Sequence, residues 1–273
     1  MKRKGILIGL LSLALKQSQA QDVHLHVREK WENCSFQIDP SLTQDEWHRF
    51  TKEAAMVICF RSLASAAPLG AGKLEFGLLQ WKTKIDETAG AWNNTFVHPH
   101  DEHYLIGGPV LPIPGITMRM GLTNKLDAGA YWTFAPGANY GFTGAQLQYN
   151  FMNAQTHKID VSSRIGVNRL YGPDDINFTT CSADVLAGKK LKLYKNWLSV
   201  SPYIGCSGYY ARAHEKTSAV QLKNESVFGL QAMAGANIQI SHFNVGVEYN
   251  VANVNTLSFK LAGNFRLCKP KQK

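Results

Sequence analysis

Beyond Ala20 the chain has no apolar run approaching the roughly 20 residues that a bilayer-spanning helix needs. Spanning helices are thereby excluded, and a closed barrel of strands is the remaining way to cross a membrane, because lipid offers backbone polar groups no partners. No cysteine stands at the expected cleavage point after Ala20, so a lipoprotein anchor is not indicated. A Gly-x-Ser-x-Gly elbow is missing, and with it the usual signature of a serine hydrolase. Cysteines number five, an odd count that cannot be fully paired.

The N-terminus carries an export signal. Lys2, Arg3 and Lys4 form a basic region, Gly5 to Leu15 an apolar one, and Ser18-Gln19-Ala20 places small residues for cleavage after Ala20. Processing removes Lys2, Arg3, Lys4 and Lys16 and takes the formal charge from +9 to +5. The remaining excess lies in Lys189-Lys190-Leu191-Lys192 with Lys195, and in the tail Lys269-Pro270-Lys271-Gln272-Lys273. It reads as a solvated basic rim, with attraction to anionic lipid headgroups as the weaker alternative; nucleic acid is not an expected partner. A mean hydropathy of -0.19 fits a soluble protein, and equally a barrel that turns only alternate residues to lipid.

A two-residue alternation decides the fold class. From Ile116 to Thr123 every even position is apolar, and the same rhythm runs from Leu257 to Leu267, as expected of strands with one apolar and one polar face. Ten strands are expected at Lys73 to Asp86, Gly115 to Asn124, Leu126 to Ala135, Tyr140 to Met152, Lys158 to Leu170, Asn177 to Gly188, Leu198 to Arg212, Ser226 to Ile240, Phe243 to Asn253 and Thr256 to Leu267. If the first runs outward, the very long connections, Glu87 to Pro114 and Ala213 to Glu225, fall outside. The tightest turns, at Lys125 and Ser241-His242, fall inside, as in bacterial barrels with both termini in the periplasm.

The chemistry of the two faces separates a lipid-facing barrel from a soluble one. The polar face is rich in small and amide residues, with charges of both signs that could pair across a lumen; Arg119, Asp127, Asp160, Arg164, Glu248, Lys260 and Arg266 are assigned to it. The apolar face ends in aromatics, Trp132 and Phe134 at one rim and Tyr149, Phe151 and Trp197 at the other, in the manner of interfacial girdles. The expected fold is therefore all-β, a transmembrane antiparallel up-and-down β-barrel of about ten strands, preceded by one amphipathic helix.

That helix begins at the capping box Thr43-Gln44-Asp45-Glu46 and is expected to run to Ser62, with Trp47, Phe50, Ala54, Val57, Ile58 and Arg61 on one face. The domain plan is then a signal peptide over 1–20, a periplasmic segment with helix and linker over 21–72, the barrel over 73–267, and a basic tail over 268–273. Cys34 and Cys59 could staple the N-terminal segment. Cys181 and Cys206 are expected nearly opposite each other on neighbouring strands, either bridged or as two small apolar residues.

Ala66-Ala67-Pro68-Leu69-Gly70, Leu111-Pro112-Ile113-Pro114-Gly115, Tyr171-Gly172-Pro173-Asp174-Asp175 and Ser201-Pro202-Tyr203-Ile204-Gly205 carry a resemblance. With them the chain resembles an uncharacterised group of bacterial outer-membrane β-barrel proteins that have an N-terminal periplasmic helix. The resemblance implies the outer membrane of a Gram-negative bacterium, with outer-membrane lipid and the barrel assembly machinery as partners. It brings no known substrate and no catalytic residue, and no cofactor is expected. One departure is the end of the last strand, where Phe265-Arg266-Leu267 runs on into Cys268 and the basic tail, whereas such barrels typically finish on an aromatic residue.

Several roles stay open. His98, His100 and His103 with Asp101 and Glu102 form the densest group of possible metal ligands, but their spacing matches no usual site and a solvated loop is preferred. Asp174-Asp175 and His214-Glu215 could converge as a hydrolase pair at the outer rim. Narrow or gated passage of a small solute, or a membrane-structural role, is the leading reading; a ten-stranded lumen is narrow, and the helix would plug it or lie on the inner leaflet. Alternatively the long loops present Trp92, Phe96 and Tyr104 to a partner, or fold them back over the mouth.

Overall fold

The computed structural model describes residues 35–59, 61–86, 88–97, 110–133, 138–194, 197–217 and 220–267. A two-residue strand β1 (Ser35–Phe36) is followed by helix α1 (Gln44–Ile58), strand β2 (Lys73–Lys84), a single turn of helix α2 (Gly90–Asn93) and the short strand β3 (Phe96–Val97). Then come β4 (Val110–Gly121), β5 (Leu126–Thr133), β6 (Gly141–Met152), the one-turn helix α3 (Ala154–His157), β7 (Asp160–Tyr171), β8 (Ile176–Gly188) and β9 (Leu191–Tyr194). The chain ends in β10 (Leu198–Glu215), β11 (Glu225–Ile240), β12 (Phe243–Val251) and β13 (Thr256–Arg266).

Ten of these strands close into one antiparallel up-and-down barrel in the order β2-β4-β5-β6-β7-β8-β10-β11-β12-β13, and β13 pairs back onto β2 through Leu261↔Leu78. Closure leaves no strand edge unpaired along the wall. The fold is thus the expected ten-stranded barrel with a helix before it.

The strand boundaries fall within three residues of the sequence reading, with two larger differences. β4 starts at Val110, five residues before Gly115, although Pro112 and Pro114 cannot donate to a ladder. They are accommodated because this stretch pairs with β2 alone, β5 joining β4 only from Gly115 onward. The long connection after β8 contains β9, which pairs with the start of β10 through Val200↔Leu191.

All ten wall strands turn large apolar side chains outward. Ile204, Phe228 and Leu230 are 66, 69 and 70 % exposed, which a water-soluble wall would not tolerate over its whole girth. Trp132 stands outward near the end carrying the long loops; Tyr149, Phe151 and Trp197 stand outward near the end carrying the short turns. Phe134 lies outside the described residues.

The expected opposition of Cys181 and Cys206 does not occur. The β8–β10 register sets Cys206 against Val185 and Cys181 against Tyr210, and both thiols are free on the outer face. The ladder turns about a point beyond Leu193, because β9 intervenes, and a shift of the turn centre is doubled at the paired positions. Cys59 is a free buried thiol, and Cys34 and Cys268 lie outside the described residues.

Candidate functional site

The lumen is the candidate site, and the chain fills it with its own N-terminal segment. Thr43 caps α1, its hydroxyl accepting from the Glu46 N–H while the Glu46 carboxylate accepts from the Thr43 N–H at 2.9 Å, so the helix starts where the capping box places it. Trp47, Phe50 and Thr51 are buried on one side, and from Ala54 to Ile58 every residue is buried all round. A helix apolar on all sides is one enclosed on all sides, here by the barrel wall.

The sequence reading places residues 21–72 in the periplasm. The described part of that range, from Ser35 on, instead runs inside the barrel from the long-loop end to the short-turn end. At the long-loop end β1 pairs with β3, the Phe36 N–H donates to Asn139 Oδ1 at 2.9 Å, and Gln44 Nε2 donates to Glu225 Oε1 at 2.5 Å. At the other end the Gly72 N–H donates to the Gly121 carbonyl at 3.0 Å. Gly121 can be no larger there: a Cβ on it would stand 2.0 Å from the Gly70 oxygen.

The helix stops at Ile58, four residues short of the expected Ser62. Its last carbonyls are taken by side chains, a common way to end a helix whose final C=O groups have no partner within it. Trp81 Nε1 donates to the Val57 oxygen at 2.9 Å, the Tyr131 hydroxyl to the Ile58 oxygen at 3.1 Å, and the Arg61 guanidinium to the Met56 and Cys59 oxygens. Arg61 therefore belongs to the cap and not to the helix. Beyond it Leu63 has φ +46°, a conformation that strains a non-glycine residue by roughly 1–3 kcal/mol, and it is fully buried.

Residues 62–69 then cross the other half of the lumen without regular structure, held by the wall. Lys260 Nζ donates to the Ser62 oxygen (3.2 Å), Arg164 to the Ser62 hydroxyl (2.6 Å), Gln148 to the Ser65 oxygen (2.9 Å), Asn150 to the Ala66 oxygen (3.1 Å) and Arg119 to the Ala67 oxygen (3.2 Å). The Leu69 N–H donates to Asp127 Oδ2 at 2.9 Å. The inner wall is two-zoned to match: apolar around the helix, with Trp81, Tyr131, Phe142, Phe178 and Tyr209, and polar around the linker.

Of the seven residues assigned to the lumen, Arg119, Asp127, Asp160, Arg164, Glu248 and Lys260 are buried on the inner face. Arg266 shares their parity but lies exposed at the short-turn end, where the wall runs out. The charges pair along the wall and not across the lumen, because the plug stands between opposite sides. Arg119 pairs with Asp127 of the next strand, Arg164 with its direct partner Asp184, and Lys260 with Glu75 at 2.7 Å. Among the described residues Glu248 has no cation within ion-pair distance; it accepts from the Tyr203 hydroxyl at 2.7 Å and from Asn250 at 2.9 Å. Tyr203 and Glu248 both pair with Gly235, and Tyr203 reaches over it because a Cβ there would lie 2.6 Å from the ring. Asp160 accepts from the Ala154 N–H at 3.0 Å and ties down the α3 turn.

The hydrolase pair does not form. His214 points outward to Asn224, whereas Asp175 is turned in to accept the Ile38 N–H at 3.3 Å. Burial pushes the Asp175 carboxyl up from its ordinary value, against the lowering effect of that N–H. The loop aromatics Trp92 and Phe96 are folded back over the mouth: Trp92 donates to Glu53 Oε2 at 2.5 Å, and Phe96 packs 4.9 Å from Phe36. Tyr104, His98, His100 and His103 lie outside the described residues. Among the described residues no group of three His, Cys, Asp or Glu side chains is placed to hold a metal.

No known protein family and no curated protein matches the chain. Solved structures do. Ail, the attachment invasion locus protein of Yersinia pestis, is 14 % identical with a TM-score of 0.27, and the match covers 71 % of this chain and 99 % of Ail. The outer membrane protein OprG of Pseudomonas aeruginosa is 10 % identical with a TM-score of 0.31, covering 74 % of this chain and all of OprG. LpxR from Salmonella typhimurium is 10 % identical with a TM-score of 0.36, covering 70 % and 99 %. The chain is similar to barrels of the bacterial outer membrane in fold.

The sequence reading missed Glu75, Asp184, Trp81 and Tyr131. Each sits on a strand it assigned, and the two-residue parity of β2, β5 and β8 carried outward from the apolar positions would have turned all four inward.

Proposed function

We propose that this protein is an outer-membrane barrel sealed by its own N-terminal segment, whose work is done at the cell surface by what stands over its long-loop end. The observation that carries this reading is the column of residues 35–59 and 61–69 through the lumen, from Asn139 and Glu225 at one mouth to Gly121 at the other. Bacterial barrels keep short turns and strand termini on the periplasmic side. Ser35 then lies on the outer side, at the mouth over which the loop around Trp92 is folded back. A passive route for solutes is disfavoured, because a helix about 10 Å across fills the apolar half of a ten-stranded lumen. Attachment or recognition by the loop end is favoured over transport.

Two measurements test this. An epitope inserted between Gln21 and Asp22 is expected to bind antibody on intact cells, while a C-terminal epitope binds only after permeabilisation. Purified protein in planar bilayers is expected to show no steady conductance. An N-terminal epitope hidden in intact cells, or a stable open channel from the full-length chain, would overturn the proposal.

A further inference from the structure

The short-turn end holds a second feature, separate from the surface reading: a cavity of about 460 Å³, within the range of small-ligand sites. Its floor is the plug linker, Ser65 and Ala67 to Leu69, and its sides are the ends of β2, β11, β12 and β13 with the turns beside them. Lys73, Lys190 and Arg266 line it, and among the described residues none of the three has a carboxylate within ion-pair distance. The two other formal charges in the lining, Arg119 and Glu75, are already neutralised by Asp127 and Lys260.

A solvated basic rim would spread its cations apart. Here they converge. The Lys190 ammonium is drawn in to Gln239 Oε1 at 2.8 Å, and it is pushed down from its ordinary pKa by its own burial and by the neighbouring Lys73 and Lys192. Asn237 lines the same cavity at 6 % exposure, and neither its amide nitrogen nor its amide oxygen has a hydrogen-bond partner among the described residues. A buried side-chain amide N–H2 left unmet beside three uncompensated cations matches a group that accepts hydrogen bonds and carries negative charge.

We infer that this vestibule binds a phosphate-bearing anion, seated between Lys73, Lys190 and Arg266 against the linker and hydrogen-bonded to Asn237. The phosphate belongs either to a soluble solute or to the headgroup of an inner-leaflet phospholipid. Isothermal titration of the full-length protein in phosphatidylcholine nanodiscs separates the two. The probes are sn-glycerol 3-phosphate and dihexanoyl phosphatidylglycerol, with glycerol as the uncharged control.

Saturable binding of a phosphate probe and none of glycerol is expected. Affinity should fall about tenfold or more in Lys190→Gln/Arg266→Gln, and severalfold in Asn237→Ala, by loss of charge-assisted hydrogen bonds. Neither exchanged cation makes an ion pair among the described residues, so the double variant keeps its fold, checked by its heat-modifiable mobility. Binding of both probes identifies a soluble phosphate, and binding of the lipid alone identifies a headgroup. Failure of both probes to bind, or equal binding by the double variant, overturns the inference, and neither result bears on which face the N-terminus occupies.

Discussion

Phe50→Ala tests whether α1 is seated in the lumen as the contacts require. Phe50 is fully buried and stacks on Trp47 at 5.6 Å. Its ring also lies 5.1 Å from Trp92 of the folded-back loop and 6.4 Å from Phe178 of the wall, so one side chain joins helix, loop and barrel. Truncating a buried Phe costs about 3–5 kcal/mol. At 1.4 kcal/mol per decade this multiplies the population with α1 unseated by roughly two to three and a half orders of magnitude. None of the barrel ladder involves Phe50, so the loss falls on the plug. Hydrogen exchange in α1 should therefore accelerate by that factor, and added protease should cut the N-terminal segment sooner, while heat-modifiable mobility of the barrel is retained. Lys52→Ala, at an exposed position on the opposite side of the same helix, is the control and should change stability by less than about 0.5 kcal/mol. Equal exchange in the two variants would refute the seating of the helix, since a helix lying elsewhere has no reason to depend on Phe50 so strongly.

Three further outcomes follow from the same contacts. Lys260→Met leaves Glu75, 3 % exposed, without its cation and should cost about 3–5 kcal/mol, seen as a lower temperature of the heat-modifiable transition. Glu75→Gln/Lys260→Met should recover most of that loss, and additive effects would show the pair to be uncoupled. Thr43→Ala should weaken α1 by about 1 kcal/mol, read by exchange at its first turn. The Thr43 N–H holds the Glu46 carboxyl below its ordinary 4.5, so its contribution is present above that pH and lost as the pH falls through the lowered value; Glu46→Gln should abolish this acid dependence, and an unchanged profile would contradict it.

The wall was legible because a strand buried on one side writes its period directly into the sequence, as from Ile116 to Thr123. The start of α1 was legible for a similar reason: a capping box is local chemistry, complete within Thr43 to Glu46. What governs the rest is long-range. The end of α1 is set by Trp81, Tyr131 and Arg61, two of them far away in sequence, so nothing near Ile58 announces it. Charge pairing across or along the lumen depends on whether the lumen is occupied, which Arg164 and Asp184 cannot reveal by themselves. One signal for occupancy was nevertheless present: Ala54-Ala55-Met56-Val57-Ile58 is apolar on every side of its turn, which neither a leaflet-bound nor a half-solvated helix would need.

The two zones of the inner wall follow from how the plug satisfies its own backbone. A helix bonds its N–H and C=O groups internally, so the wall around α1 need offer only apolar surface, and Phe142, Phe178 and Tyr209 do so. The linker bonds almost none of its own, and a buried carbonyl without a donor costs about 1–3 kcal/mol. The wall beside it must therefore supply donors, and Lys260, Gln148, Asn150 and Arg119 meet Ser62, Ser65, Ala66 and Ala67 in turn. Gln148→Met keeps the length and most of the packing of a side chain that is 1 % exposed, and removes only the donor to Ser65. The expected loss is about 1–3 kcal/mol, confined to the linker: faster exchange and cleavage around Ser65, with α1 and the barrel unchanged. If α1 loosened equally, the linker and helix would be one cooperative unit, and the matching of wall chemistry to local backbone need would be wrong.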